Sequence, residues 1–177
     1  RFALSLWINL RLDMIRKVER RDARSIARIY NRYVTETTIS FETLPVDEAE
    51  MLRRIEDTAS RYPYFVYEEC GEVIGYCYAH AWKERAAYGR TWETTVYISS
   101  QERGRGIGRQ LMETLIDACR SLDVRALIAC ITYGNEASCR LHRALGFSQV
   151  SHFEKVGFKF GEWLDVVDYD CLLYTSP

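Results

Sequence analysis

The chain lacks the marks of several large protein classes. None of its six cysteines forms a Cys-x-x-Cys pair, and most sit inside apolar runs. That spacing speaks against a disulfide framework or a zinc site, and for buried free thiols in a reducing cytosol. A charge bias is also missing. Lys+Arg number 24 against 25 Asp+Glu, a formal net charge of −1. Such a surface has no global pull toward nucleic acid, so any basic site must be local. A long apolar run is missing too. The stretch from Phe2 to Leu10 is too short to span a bilayer, and no small-residue cleavage site follows it. There is no internal repeat, linker or low-complexity segment. These absences leave a cytoplasmic protein with no expected metal, nucleic-acid or membrane partner.

What is present is an ordinary globular composition. The chain has 177 residues, 47% of them hydrophobic, enough for one domain with a normal core. Residues 1–13 read as a leader or appended segment, 14–173 as a single domain, and 174–177 as a tail.

Read in order, Ile15 to Glu19 alternates as a first strand. Asp22 is placed to cap a helix with Ile26, Ile29, Tyr30 and Tyr33 at helical spacing. Asp47, with Glu50 three residues on, resembles a capping box for a second helix. Tyr64 to Glu68 and Glu72 to Trp82 are strands about a tight turn at Cys70-Gly71. Thr91 to Ile98 is the central strand. It leads through Gln101-Glu102-Arg103-Gly104-Arg105-Gly106-Ile107-Gly108 into a helix from about Gly108 to Leu122. Ala126 to Ile131 is apolar throughout, as a strand buried on both faces would be. Asn135 caps a short helix ended by Gly146. Phe147 to Phe153 and Trp163 to Leu173 read as a final antiparallel pair. This order predicts an α/β (α+β) mixed sheet with helices on both faces.

The loop before the central helix carries the chemistry. A helix N-terminus presents N–H groups without intrahelical partners, and its dipole favours negative charge. Glycines let those amides approach a ligand, and arginines add forked donors suited to phosphate. Together they form a pyrophosphate cradle. The glycine pattern alone is equally a plain strand-to-helix turn. It is neither a G-x-G-x-x-G fingerprint nor a P-loop, because no Gly-Lys-Ser/Thr follows.

Its wording is more specific. Arg103-x-x-Gly106-x-Gly108 resembles the R/Q-x-x-G-x-G/A acetyl-coenzyme A signature of the GNAT acetyltransferases. Asn135 to Phe147 is similar to the family's N-x-x-A/S…L-Y-x-x-x-G-F helix. Glu93-Thr94-Thr95-Val96-Tyr97-Ile98, Leu141-His142-Arg143 and Gly161-Glu162-Trp163-Leu164-Asp165 resemble the phosphinothricin N-acetyltransferase branch.

The resemblance implies a GNAT fold whose central parallel strands splay apart. It implies acetyl-CoA as co-substrate and the primary amine of a small amino-acid-like compound as acceptor. It also implies direct attack in a ternary complex, and a homodimer. Cofactor binding then falls to Val96, Tyr97 and Ile98, to the loop Arg103, Gly104, Arg105, Gly106, Ile107 and Gly108, and to Asn135 and Ser138. Phe41, Lys83, Arg85 and Tyr88 would border the acceptor.

Glu93 is the expected general base, since a carboxylate in an apolar strand is costly unless paired or used. Its bland reading is a strand-end carboxylate reaching water or pairing with Arg90. His142 stands where most of the family has Tyr, and is expected to act as acid, base or orienting group. Its bland reading is a hydrogen-bonded core histidine. His80 and His152 have no motif support and read as structural. Two alternatives stay open: another amine acceptor (a polyamine, an antibiotic or a protein N-terminus), and a non-catalytic acyl-CoA-binding module.

Overall fold

The computed structural model describes residues 14–174. The proposed leader at 1–13 and the last three residues of the tail lie outside them. The elements are β1 (Met14–Lys17), α1 (Ala23–Glu36), α2 (Glu48–Ala59), β2 (Tyr64–Glu69), β3 (Glu72–Ala81), β4 (Thr91–Ile98), α3 (Ile107–Ser121), β5 (Ala126–Thr132), α4 (Glu136–Ala144), β6 (Ser148–Gln149), β7 (Phe153–Lys159) and β8 (Glu162–Leu172). The strands make one mixed sheet ordered β1-β2-β3-β4-β5-β8-β6, with β7 also on β8. Every neighbouring pair is antiparallel except β4 and β5.

Two apolar layers cover the sheet. Ile26, Val34, Met51 and Val66 belong to the layer under α1 and α2. Leu111, Met112, Leu115 and Leu127 belong to the layer under α3. Leu111, Met112 and Leu115 are fully buried, which contributes roughly 5–9 kcal/mol toward holding α3 on the sheet. The surface pair Arg109–Glu113 adds only about 0.3–0.5 kcal/mol. Apolar packing, not surface charge, therefore fixes the helix whose N-terminus matters below.

Local signals were used differently from their plain reading at three places. Asp22 precedes α1 but makes no side-chain cap bond. Its carboxylate takes both arms of Arg16 at 2.8 Å and the Glu19 amide at 2.7 Å, so it ties β1 to the helix start. Asp47 does cap α2 through the Glu50 amide at 2.8 Å, while the Glu50 carboxylate turns to Arg53 and Arg54. The final pair is also redrawn. Only Ser148–Gln149 pairs early, and the long partner of β8 is β7, joined to it at Phe160-Gly161. The register slips between Phe153 and Gly157, where Lys155 has φ 52°. That bulge hides the alternation that would mark a strand.

No helix among the described residues is long and apolar enough to cross a membrane.

Candidate active site

β4 and β5 pair in parallel only from Thr91↔Ala126 to Glu93↔Ile128. Beyond Glu93 the strands part, and the Thr94 hydroxyl alone still reaches the Ile128 carbonyl, at 3.2 Å. The opening is a cleft of about 930 Å³. Its walls are β4, β5, the start of α3, α4 and the segment Ile39–Glu42. Val96, Tyr97 and Ile98 line it along the strand edge that β5 has abandoned. An edge of this kind binds an extended, amide-bearing arm as an added strand.

At one end lies the loop before α3. Gly104 and Gly106 have φ near +80°, and a Cβ at either would meet nothing within 4 Å. The first intrahelical bond runs from Gln110 N to Gly106 O at 3.1 Å. The amides of Ile107, Gly108 and Arg109 therefore face the cleft without intrahelical partners. This fits an anionic diphosphate. Arg103 lines the site with its guanidinium 5.2 Å from the Tyr33 ring.

Arg105 does not fit its expected part. It is absent from the cleft walls and forks onto Glu69, with Glu102 as a further partner. Arg140, by contrast, lines the cleft, is exposed, and has no ion pair among the described residues. Sequence reading passed over Arg140 although it lies within the α4 motif, two residues before His142.

Glu93 sits where the ladder ends, its side chain 27% exposed. Burial and, from β8, Asp168 push its carboxyl up from the ordinary range, while His80 opposes the shift. Arg90 pairs with Asp123 at 2.8 Å, which leaves Glu93 to another partner. That partner is His80, whose Nε2 is 3.9 Å from Glu93 Oε1. Cys130, expected to be buried, is exposed toward the cleft. Desolvation by its surroundings, with Glu93 and Asp168 close by, pushes its thiol up to about 12, so it is no thiolate at neutral pH.

His142 lines the opposite wall from α4 and is almost wholly buried. Its Nδ1 lies 2.8 Å from the Ser138 carbonyl, which can only accept, so Nδ1 carries the proton. Burial lowers its pKa. A neutral ring with a bare Nε2 is suited to accepting a hydrogen bond and poorly suited to act as a general acid. Asn135 lines the cleft and caps α4, its Oδ1 accepting from Ser138 N at 3.3 Å. Ser138 lines the cleft beside it.

Of the expected acceptor residues only Phe41 lines this cleft. Lys83, Arg85 and Tyr88 line a separate hollow of about 410 Å³. Lys83 Nζ there lies 4.1 Å from the Trp82 ring.

The Phe41 segment is tightly tied. Lys159, only 4% exposed, donates to Thr37 O at 2.8 Å and to Ser40 O at 2.6 Å. Thr132 Oγ1 donates to Thr38 O at 3.0 Å. Gly157 lets the Phe41 ring approach so closely that a Cβ would stand 2.2 Å from it. Bonds from a charged donor contribute about 1.5–3 kcal/mol each, and if only about 1.4 kcal/mol of the loss falls on acceptor binding, the rest falling on stability, Lys159→Met should raise the acceptor KM by about tenfold. The acetyl-CoA KM should hardly change, and steady-state kinetics with each substrate varied will separate the two.

Among the described residues no three His, Cys, Asp or Glu side chains are grouped to hold a metal ion.

The geometry has its counterparts in known proteins. A family model described as an acetyltransferase (GNAT) domain matches residues 15–167. The chain is 42% identical over 155 residues to a phosphinothricin N-acetyltransferase of Alcaligenes faecalis, covering 86% of this chain and 79% of that one. It is 37% identical over 147 residues to an L-methionine sulfoximine/L-methionine sulfone acetyltransferase of Pseudomonas aeruginosa, covering 82% and 86%. It superposes on the crystal structure of a GNAT superfamily phosphinothricin acetyltransferase from Sinorhizobium meliloti in complex with acetyl-CoA. The TM-score is 0.87 at 38% identity, covering 90% of this chain and 88% of that one. The chain therefore belongs to the GNAT acetyltransferases, in their phosphinothricin N-acetyltransferase-like branch, and is an acetyl-CoA-dependent N-acetyltransferase.

Proposed function

We propose that the acceptor is the primary amine of a small amino-acid-like compound of the phosphinothricin, methionine sulfoximine or methionine sulfone type. Attack on the thioester is direct, within a ternary complex. One observation carries this reading: a carboxylate stands where β4 and β5 part, in the same cleft as the α3 amides. The names of the relatives support the acceptor class.

In this reading the α3 amides and Arg103 hold the diphosphate, and the free edge of β4 aligns the thioester arm. Glu93, directly or through water, takes one proton from the bound ammonium. The free amine forms the N–C bond as the C–S bond breaks, its second proton passes to the departing thiolate, directly or through water, and an amide near Ile98 steadies the oxyanion. Asn135 and Ser138 border the thioester end, and His142 Nε2 accepts a hydrogen bond there. Cys130 held as a thiol supports direct attack over an acetyl-enzyme.

An acceptor panel followed by thiol release tests this. Turnover of phosphinothricin and methionine sulfoximine, with intersecting initial-velocity lines, is expected. Turnover confined to peptides or polyamines would overturn the acceptor class.

The six free cysteines support a cytoplasmic location. The β7–β8 hairpin exposes Phe153, Val156, Phe158, Phe160 and Trp163, which supports a homodimer. Light scattering should give twice the chain mass, and Phe158→Asp with Trp163→Asp should halve it. A monomeric parent protein would remove the dimer from the reading.

A further inference from the structure

The net reaction releases one proton per turnover. An ammonium and a thioester become an amide and a thiol, and the proton left on the base must reach solvent before the next cycle. The acid–base partner of Glu93 that would serve this step is not on the cleft wall. It is on the next strand. His80 of β3 is the ladder partner of Glu93, and its ring projects beside the carboxylate. Nδ1 lies 3.0 Å from the Ala81 carbonyl, which can only accept, so Nδ1 donates there and Nε2, the nitrogen facing Glu93, is where a proton can come and go. The Tyr78 ring flanks it at 5.8 Å. His80 is the more exposed of the pair, 36% against 27%.

We propose that His80 is a positioning residue for Glu93: from across the ladder it holds the carboxylate ionised and passes its proton outward between turnovers. This rests on Glu93 as the base.

The surrounding charges make the role necessary. Facing Glu93 are Asp168 from β8 and the Cys130 thiol from β5, with the Tyr78 hydroxyl on the β3 side. Asp168 disfavours the ionised carboxylate, as burial does. Among the described residues His80 is the one ion-pair partner Glu93 has. At 3.9 Å a small side-chain movement or one water closes the gap. The proton then passes from the carboxyl to Nε2, and from Nε2 to bulk water, while Nδ1 keeps its own.

The sign of the test follows. Below the Glu93 pKa the base is protonated and kcat/KM falls. In its protonated form His80 is a cation beside the carboxylate and lowers that pKa, so its removal moves the acid limb to higher pH. His80→Gln should shift the limb upward by roughly 0.5–1 pH unit, a partly exposed pair being screened well below its buried value. Acetyl-CoA affinity, read by calorimetry, should stay within twofold, which shows the fold intact. His80→Asn is the second neutral variant, and His80→Lys should return the limb toward that of the parent.

An unmoved limb in both neutral variants overturns the proposal, as does failure of His80→Lys to restore a shifted one. Glu93→Gln in the same series separates the layers. If it abolishes turnover while the His80 variants leave the limb in place, only the His80 inference falls. If it turns over fully, the base assignment falls and the inference with it.

Discussion

Glu93→Gln should lower kcat by roughly 10²–10⁴ while acetyl-CoA still binds within about twofold. The amide keeps the shape of the carboxylate but carries no charge and cannot take a proton. That loss corresponds to about 2.7–5.5 kcal/mol of transition-state stabilisation, more than the packing change of so nearly isosteric a substitution could account for. The pH dependence sharpens the expectation. Burial and Asp168 hold the Glu93 carboxyl above the ordinary carboxylate range. The acid limb of kcat/KM in the parent enzyme should therefore lie above that range, and the limb should vanish in the variant. A residual rate that climbs with pH, tracking free amine in solution, is the signature of catalysis without the base. Calorimetry for acetyl-CoA and a stopped-flow thiol assay between pH 5 and about 9 would check both halves. Full turnover in Glu93→Gln at pH 7 would remove the residue from the mechanism.

The sequence made part of this site legible because that part is local. The strand from Thr91 to Ile98, the glycines before α3 and the Asn135 cap depend on residues a few positions apart, and each stands where periodicity or capping chemistry puts it. Side-chain direction and register depend on distant partners and were not legible. Arg105 reads as a phosphate donor, yet Glu69, 36 positions away, claims it. His80 has no motif, and only the β3–β4 register sets it opposite Glu93. Cys130 lies in a run apolar throughout, where alternation cannot say which face meets the cleft. Lys159 looks like one more surface lysine until β7 folds beneath the Phe41 segment. The common cause is tertiary pairing, which a one-dimensional pattern does not encode.

Gly106→Val should weaken acetyl-CoA about a hundredfold, and its comparison with Arg105→Ala decides what grips the diphosphate. Gly106 immediately precedes α3 with φ +79°, a left-handed conformation that costs an L-residue roughly 1–2 kcal/mol and a β-branched one more. Part of that cost appears as lost stability, a few degrees in Tm for a domain of this size. The rest falls on the site. Relaxing the strain turns the Ile107 and Gly108 amides away from their present direction, and the new side chain occupies space that is open around Gly106. Bonds from amides to a charged phosphate contribute about 1.5–3 kcal/mol each, so disordering one or two accounts for the hundredfold loss. Arg105→Ala removes a full positive charge from the same loop, but that charge is spent on Glu69 and Glu102. Its acetyl-CoA affinity should therefore change by less than about threefold, as for other exposed paired charges. If Arg105→Ala proves the more damaging of the two, the grip belongs to side-chain charge rather than to the open end of the helix.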